Sequence, residues 1–207
     1  FFLIKFNHLI KPFTNNNVIP IKLNLENERN FIESLKDKKT QEDSFEILLN
    51  KYKEPIYWHI RKLVLNHDDA NDILQNTFVK VFRGISEFKG KSKLYTWIYR
   101  IATNESLNFL KSKSKKFSNN SNEMMDYLVE NLKNDPYFDG NELQLKLQSI
   151  ISKLPEKQKL VFQMKYEQNM KFKEIAEILG KSIGGLKASY HIAVSKIKKE
   201  ISQIQTF

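Results

Sequence analysis

The sequence predicts an all-α chain of two small helical domains joined by a flexible linker. Apolar residues recur at three-and-four spacing from about residue 43 to residue 116, and again from residue 141 onward. Strand signals are weak, since only Val18 to Leu25 alternates a little and no partner strand accompanies it. Between the two periodic stretches, Phe117 to Gly140 turns to Ser, Asn and acidic residues, with five carboxylates against Lys133. A length of 207 residues accommodates two such domains.

In the first domain, Thr40 with Asp43 has the form of a capping box with the shorter acid. Phe45, Leu48, Leu49, Tyr52, Ile56, Ile60 and Leu63 then form one apolar face, on a helix expected to bend at Pro55. Asp68 and Asp69 stand where a second helix starts, favoured near its positive end. Its buried face is expected to be Ala70, Ile73, Leu74, Thr77, Phe78, Val81 and Phe82, and Gly84 to Gly90 ends it. Ser92 is placed to cap a third helix with Leu94, Trp97, Ile98, Ile101 and Ala102 inside, running to the lysines 111, 113, 115 and 116.

The second domain opens with Leu143, Leu147, Ile150, Ile151 and Leu154, stopped by Pro155. Leu160, Val161, Met164 and Tyr166 mark the next helix, and Asn169 a turn. Phe172, Ile175, Ala176, Ile178 and Leu179 precede a break at Gly180. A final helix from about Ser182 carries Leu186, Tyr190, Ala193, Ile197 and Ile201. The expected organisation is an N-terminal arm over 1–41, a first domain over 42–116, a linker over 117–140 and a second domain over 141–207.

The net charge is +10 and the sequence pI about 9.5, which points to a polyanionic partner: nucleic acid first, an anionic membrane surface second. Cysteine is absent, which excludes disulfides, thiolate chemistry and cysteine-ligated zinc. The four histidines are scattered, so neither a metal nor a cofactor is expected. No apolar run approaches the roughly 20 residues that span a bilayer, and no membrane insertion is expected. The first methionine is Met124, and Phe1 to Asn17 fits either a short ordered arm or translated upstream sequence.

Lys171 to Ile197 has the form of a helix-turn-helix, with the small Ala176 allowing close approach and Gly180 in the turn. In that geometry the last helix offers Ser182, Lys187, Ala188, His191 and Ile192 to a major groove, and Gly184 and Gly185 let backbone amides approach a phosphate. Lys153 to Phe207 holds eleven lysines against five glutamates, net +6. Arg83 to Lys116 holds nine basic residues against Glu87 and Glu105, net +7, interleaved with Phe88, Tyr95, Trp97 and Tyr99. Basic plus aromatic is the composition of a single-stranded DNA platform. Tyr95 and Tyr99 are expected on the outer side of their helix, flanked by Arg100, Thr103 and Asn104, free to stack on or hydrogen-bond to an unpaired base. Trp97 falls on the apolar face and reads as core.

The runs DDANDILQNTFVKVF (68–82) and FKGKSKLYTWIYRIATNESLNFL (88–110) resemble domain 2 of extracytoplasmic-function sigma factors of the sigma-70 family. LPEKQKLVFQMKYEQNMKFKEIAEILGKSIGGLKASYHIAVSKIKK (154–199) resembles domain 4 of the same family. The resemblance implies a cytoplasmic initiation factor without a catalytic site. Its partners would be core RNA polymerase, through the beta-prime and beta subunits, and promoter DNA in double-stranded and melted form. A membrane-associated anti-sigma factor is a further implied partner.

By the same resemblance, Asp72, Gln75, Asn76 and Val79 would dock on the polymerase. Phe88, Lys91, Ser92, Lys93, Tyr95, Tyr99, Arg100 and Asn104 would open the minus-10 element and capture a flipped base. Ser182, Gly185, Lys187, Ala188, His191 and Ile192 would read the minus-35 element. Family members commonly carry arginine at the positions of Ser189 and Ile192, and this chain does not. The rival reading, a helix-turn-helix regulator outside the polymerase, leaves the 68–110 pattern without a role. An enzyme is weaker still, because Glu174 and Glu177 share a helical face with no histidine or phosphate loop beside them.

Overall fold

The computed structural model describes residues 25–117, 121–132, 135 and 142–204, and the regular structure among them is entirely helical. Helix α1 (Leu25–Lys36) lies within the stretch read as an N-terminal arm. It buries Ile32 and Leu35, an apolar pair three apart that the polar surroundings masked in the sequence. The Phe1 to Asn17 question lies outside the described residues.

Helix α2 (Gln41–Val64) runs through Pro55. The expected capping box is absent. Thr40 has φ −115° and ψ −2° rather than the extended backbone of a capping residue, and its hydroxyl donates to the Ser34 carbonyl at 2.8 Å. Helix α3 (His67–Gly84) is capped instead by Asn66, whose side chain accepts from the Asp69 amide at 2.8 Å, with Asp68 and Asp69 in the first turn as expected. A 3-10 turn, Ile85–Glu87, leads into the loop before α4 (Leu94–Lys116). Trp97 packs on Phe88 and comes close to Gly84, where an added Cβ would stand 3.3 Å from the indole.

The expected linker is more than a tether. Helix α5 (Ser121–Asn131) buries Met124, Leu128 and Val129, followed by Leu132, and the Arg61 guanidinium of α2 pairs with Asp135. The acidic, Asn-rich composition hid a helical apolar stripe at four-and-five spacing.

In the second unit, α6 (Glu142–Ser152) and α7 (Glu156–Phe162) are followed by a π-turn, Gln163–Glu167, and Asn169 then takes a left-handed φ of 51°. Helix α8 (Phe172–Leu179) ends at Gly180, φ 62°, a left-handed position that glycine occupies at no steric cost. Helix α9 (Ile183–Ile204) closes the fold.

Two apolar clusters hold these helices. Leu147, Ile151, Leu154, Phe162, Ala193, Ile197 and Ile201 form the smaller one, between α6, α7 and α9. The larger joins α1 to α5 and continues into the second unit through Val161, Met164, Met170, Ile175 and Ile178. The two units thus share the larger cluster, with α8 packed across α4.

Candidate functional site

The face expected to meet single-stranded DNA is built by α4 and the loop before it. Lys89, Lys91, Lys93 and Asn104 are exposed, Ser92 is half-buried, and Phe88 is buried under Trp97. Ser92 does not cap α4. The helix starts at Leu94, and Lys93 in the capping position makes no side-chain bond. The Leu94 amide donates instead to Glu28 Oε1 of α1, at 2.6 Å. A cavity of about 770 Å³ between this loop, α1 and α8 is lined by lysines 89, 91 and 93 and by Glu28, Glu33, Glu174 and Glu177, with Arg29, Lys36, Lys171 and Lys173 among them.

Tyr95 and Tyr99 are not on an outer face. Their exposures are 4% and 2%. Tyr95 stands edge-on to Tyr99, ring centroids 6.3 Å apart, and Tyr99 packs on the His59 ring at 5.0 Å. The Arg100 guanidinium donates to the Glu177 carbonyl of α8. Helical spacing within α4 could not show this, because the covering helix comes from the second unit. Burial, with the Glu174 and Glu177 carboxylates nearby, raises the pKa of the Tyr95 phenol; burial does the same for Tyr99.

Beside the tyrosines runs a buried polar chain. The Gln168 amide nitrogen lies 2.9 Å from His59 Nδ1, His59 Nε2 lies 2.9 Å from Thr103 Oγ1, and the Thr103 hydroxyl donates to the Tyr99 carbonyl at 2.7 Å. The sequence places donors and acceptors in order along this chain if the imidazole is neutral with its proton on Nε2. Burial pushes the His59 pKa down to about 3, which keeps it so. Gln163 Nε2 donates to the Lys62 carbonyl at 2.9 Å, and Lys62 Nζ stands 3.6 Å from Glu167 Oε2. Thr103, expected to flank the outer face, is an internal member of this chain.

On the far side of the first unit, Asp72, Gln75, Asn76 and Val79 are all exposed along α3. Gln75 and Val79 line an apolar groove of about 780 Å³ together with Phe45, Leu49, Phe78 and Phe82. Phe82, expected inside, is 38% exposed and rests edge-on against Phe45, centroids 4.9 Å apart. It sits a full turn beyond Phe78, where Phe45 near the start of α2 covers it only on one side. An exposed phenylalanine beside exposed Val79 was the signal that periodicity alone read as core.

In the helix-turn-helix, Ser182, Lys187, Ala188, His191 and Ile192 are exposed and Gly185 is half-buried. Ser182 Oγ accepts from the Gly185 amide at 3.2 Å, so one free amide of α9 is already satisfied within the turn. Ser189 is buried, its hydroxyl donating to the Gly185 carbonyl at 2.8 Å. A side chain at 189 is thus turned inward, and the outward row is 187, 188, 191 and 192.

Comparison with known proteins matches residues 48–116 to Sigma-70 region 2 and residues 144–197 to Sigma-70 region 4, together more than half of the chain. The ECF RNA polymerase sigma factor SigW of Bacillus subtilis is 26% identical over 175 residues, covering 81% of this chain and 94% of SigW. The ECF RNA polymerase sigma-E factor of Haemophilus influenzae is 27% identical over 174 residues, covering 78% and 89%. The chain is an extracytoplasmic-function sigma factor of the sigma-70 family. Its fold is that of RpoE in the co-crystal structure with the anti-sigma factor NepR from Bartonella quintana (TM-score 0.58, 17% identity, 76% of this chain and 96% of that one). CnrH, in complex with the cytosolic domain of CnrY, has the same fold (TM-score 0.61, 16% identity, 85% and 97%). The sigma factor serves transcription initiation, and a regulator acting apart from the polymerase does not account for region 2. Among its described residues no helix is long and apolar enough to cross a membrane.

Proposed function

We propose that this sigma factor works in the cytoplasm, without catalysis of its own, by binding core RNA polymerase and carrying it to promoter DNA. Residues 42–116 serve as the domain that binds polymerase and opens the minus-10 element, and 141–207 as the domain that reads the minus-35 element. Asp72, Gln75, Asn76 and Val79, with Phe82 beside them, make the polymerase contact. Phe88 to Lys93 with Tyr95, Tyr99, Arg100 and Asn104 act on the melted strand, and Ser182, Gly185, Lys187, Ala188, His191 and Ile192 act on the duplex. An anti-sigma factor, membrane-associated, is a fitting antagonist; RpoE is seen with the anti-sigma factor NepR.

The observation that carries this reading is the outward row on α9. Lys187, Ala188, His191 and Ile192 are exposed together within the N-terminal half of the helix, on a unit rich in lysine. Tyr95 and Tyr99 lie under α8 in the free chain, so the reading also requires polymerase to part the two units before DNA is melted.

The test is transcription from genomic fragments by purified core polymerase with and without the sigma factor. Specific starts should appear only with it. Lys187→Ala and His191→Ala should each weaken minus-35 binding, a base contact by about 1 to 3 kcal/mol and a phosphate contact irrespective of sequence. Footprints unchanged in both variants would remove α9 as the reader.

A further inference from the structure

We propose that Glu28, on α1, is a positioning residue for promoter opening: it caps α4 from outside and holds the Phe88–Lys93 loop in place. This rests on the reading of that loop and α4 as the DNA-opening face.

The first amides of a helix have no partner within it and need an outside acceptor when buried. The N-terminus of α4 has none of its own, since Lys93 makes no side-chain cap and the first turn contains no acidic residue. Glu28 fills that need across 66 residues of sequence. Its Oε1 is 2.6 Å from the Leu94 amide, and the residue is 8% exposed. A carboxylate at this end of the helix also meets the positive pole of the α4 dipole.

Helix α1 is itself fixed. Ile32 and Leu35 are buried, and the helix packs on both α2 and the Ile85–Glu87 turn where the loop begins. The loop is thus held at its start by the body of α1 and at its end by the Glu28 carboxylate. Lys89, Lys91 and Lys93 project between these two points, and Tyr95 follows one residue after the capped amide. Loss of the cap lets the first turn of α4 fray, which moves Lys93 and Tyr95 while leaving the α3 groove and α9 unaffected. All of α1 precedes the stretch that matches Sigma-70 region 2.

Three variants in full-length holoenzyme test this: Glu28→Ala, Glu28→Gln and, as a control on the face itself, Tyr95→Ala with Tyr99→Ala. Core polymerase affinity is measured by competition, and strand opening by permanganate reactivity on duplex and pre-melted promoters. Glu28→Ala should slow opening on duplex about tenfold, bind core polymerase as the unsubstituted chain does, and recover most of its deficit on the pre-melted template. Glu28→Gln keeps an oxygen acceptor and should lie within about twofold of the unsubstituted rate.

Glu28→Ala opening at the unsubstituted rate would overturn the proposal, as would an equal deficit on both templates accompanied by lost polymerase binding. Glu28→Gln as slow as Glu28→Ala would also overturn it. If the tyrosine variants open normally, the reading of the face fails. If they are defective while Glu28→Ala is normal, only the positioning role fails.

Discussion

Among single residues, His59 shows most clearly how burial sets chemistry. It is held neutral between Gln168, Thr103 and Tyr99, and the charge of Lys62 on its own helix adds to the effect of burial. Its pKa falls from 6.5 to about 3, with burial as the first cause. The unfolded chain therefore binds a proton that the folded chain refuses, so the stability His59 contributes is complete above about pH 6.5 and is lost as the pH falls toward 3. The slope in that window reaches about 1.4 kcal/mol per pH unit. Urea denaturation of the unsubstituted chain and of His59→Gln gives a difference profile in which the other titrating groups cancel. That difference should be flat above pH 6.5 and decline below it; a flat difference down to pH 4 would show that His59 is not buried neutral.

At the level of elements, α5 separates two views of the region between the two stretches matched to Sigma-70 regions 2 and 4. A solvated tether tolerates truncation of an apolar residue within about 0.5 kcal/mol. Leu128 is 2% exposed within the larger core, and Leu-to-Ala changes at such sites cost about 2 to 5 kcal/mol. Leu128→Ala should accordingly lower the denaturation midpoint clearly, and a midpoint unmoved would return 121–132 to linker. Most other elements were legible in advance. The turns at Asn169 and Gly180, the acidic start of α3 and the lysine end of α4 each follow from residue types with strong local preferences. The caps were less legible: the Thr40 hydroxyl donates to Ser34 of α1, and Glu28 of α1 takes the α4 cap expected of Ser92.

For the whole molecule, the closure of α8 over α4 decides what the free sigma factor presents. The contact mixes apolar packing with polar groups that are only partly satisfied. Burial raises the pKa of Glu167, and Lys62 at 3.6 Å offsets that only in part. Such a pair stabilises closure little, since desolvation costs about as much as the attraction returns. Gln163 and Gln168 provide the neutral bonds across the seam. At about 1 kcal/mol each, Gln163→Ala combined with Gln168→Ala should shift the balance toward separated units by roughly 30-fold. The chain has no cysteine, so Asn108→Cys and Lys196→Cys, both at exposed positions, provide the only sites for spin labels. The double glutamine variant should gain a long-distance population without polymerase present. A distance distribution identical to that of the labelled parent would show that these bonds do not hold the units together.

The sequence by itself determined α2 to α4 and α6 to α9, their order and the outward row at 187, 188, 191 and 192, because each of these follows from periodicity, turn chemistry and charge within a short window. It also determined the family, through two ordered runs of residues. Only the tertiary structure decided that Tyr95 and Tyr99 are covered, that Phe82 is open to solvent, and that Glu28 caps a helix 66 residues away. A helix pattern fixes which residues share a face, but whether that face meets water or another helix depends on partners that no local window contains.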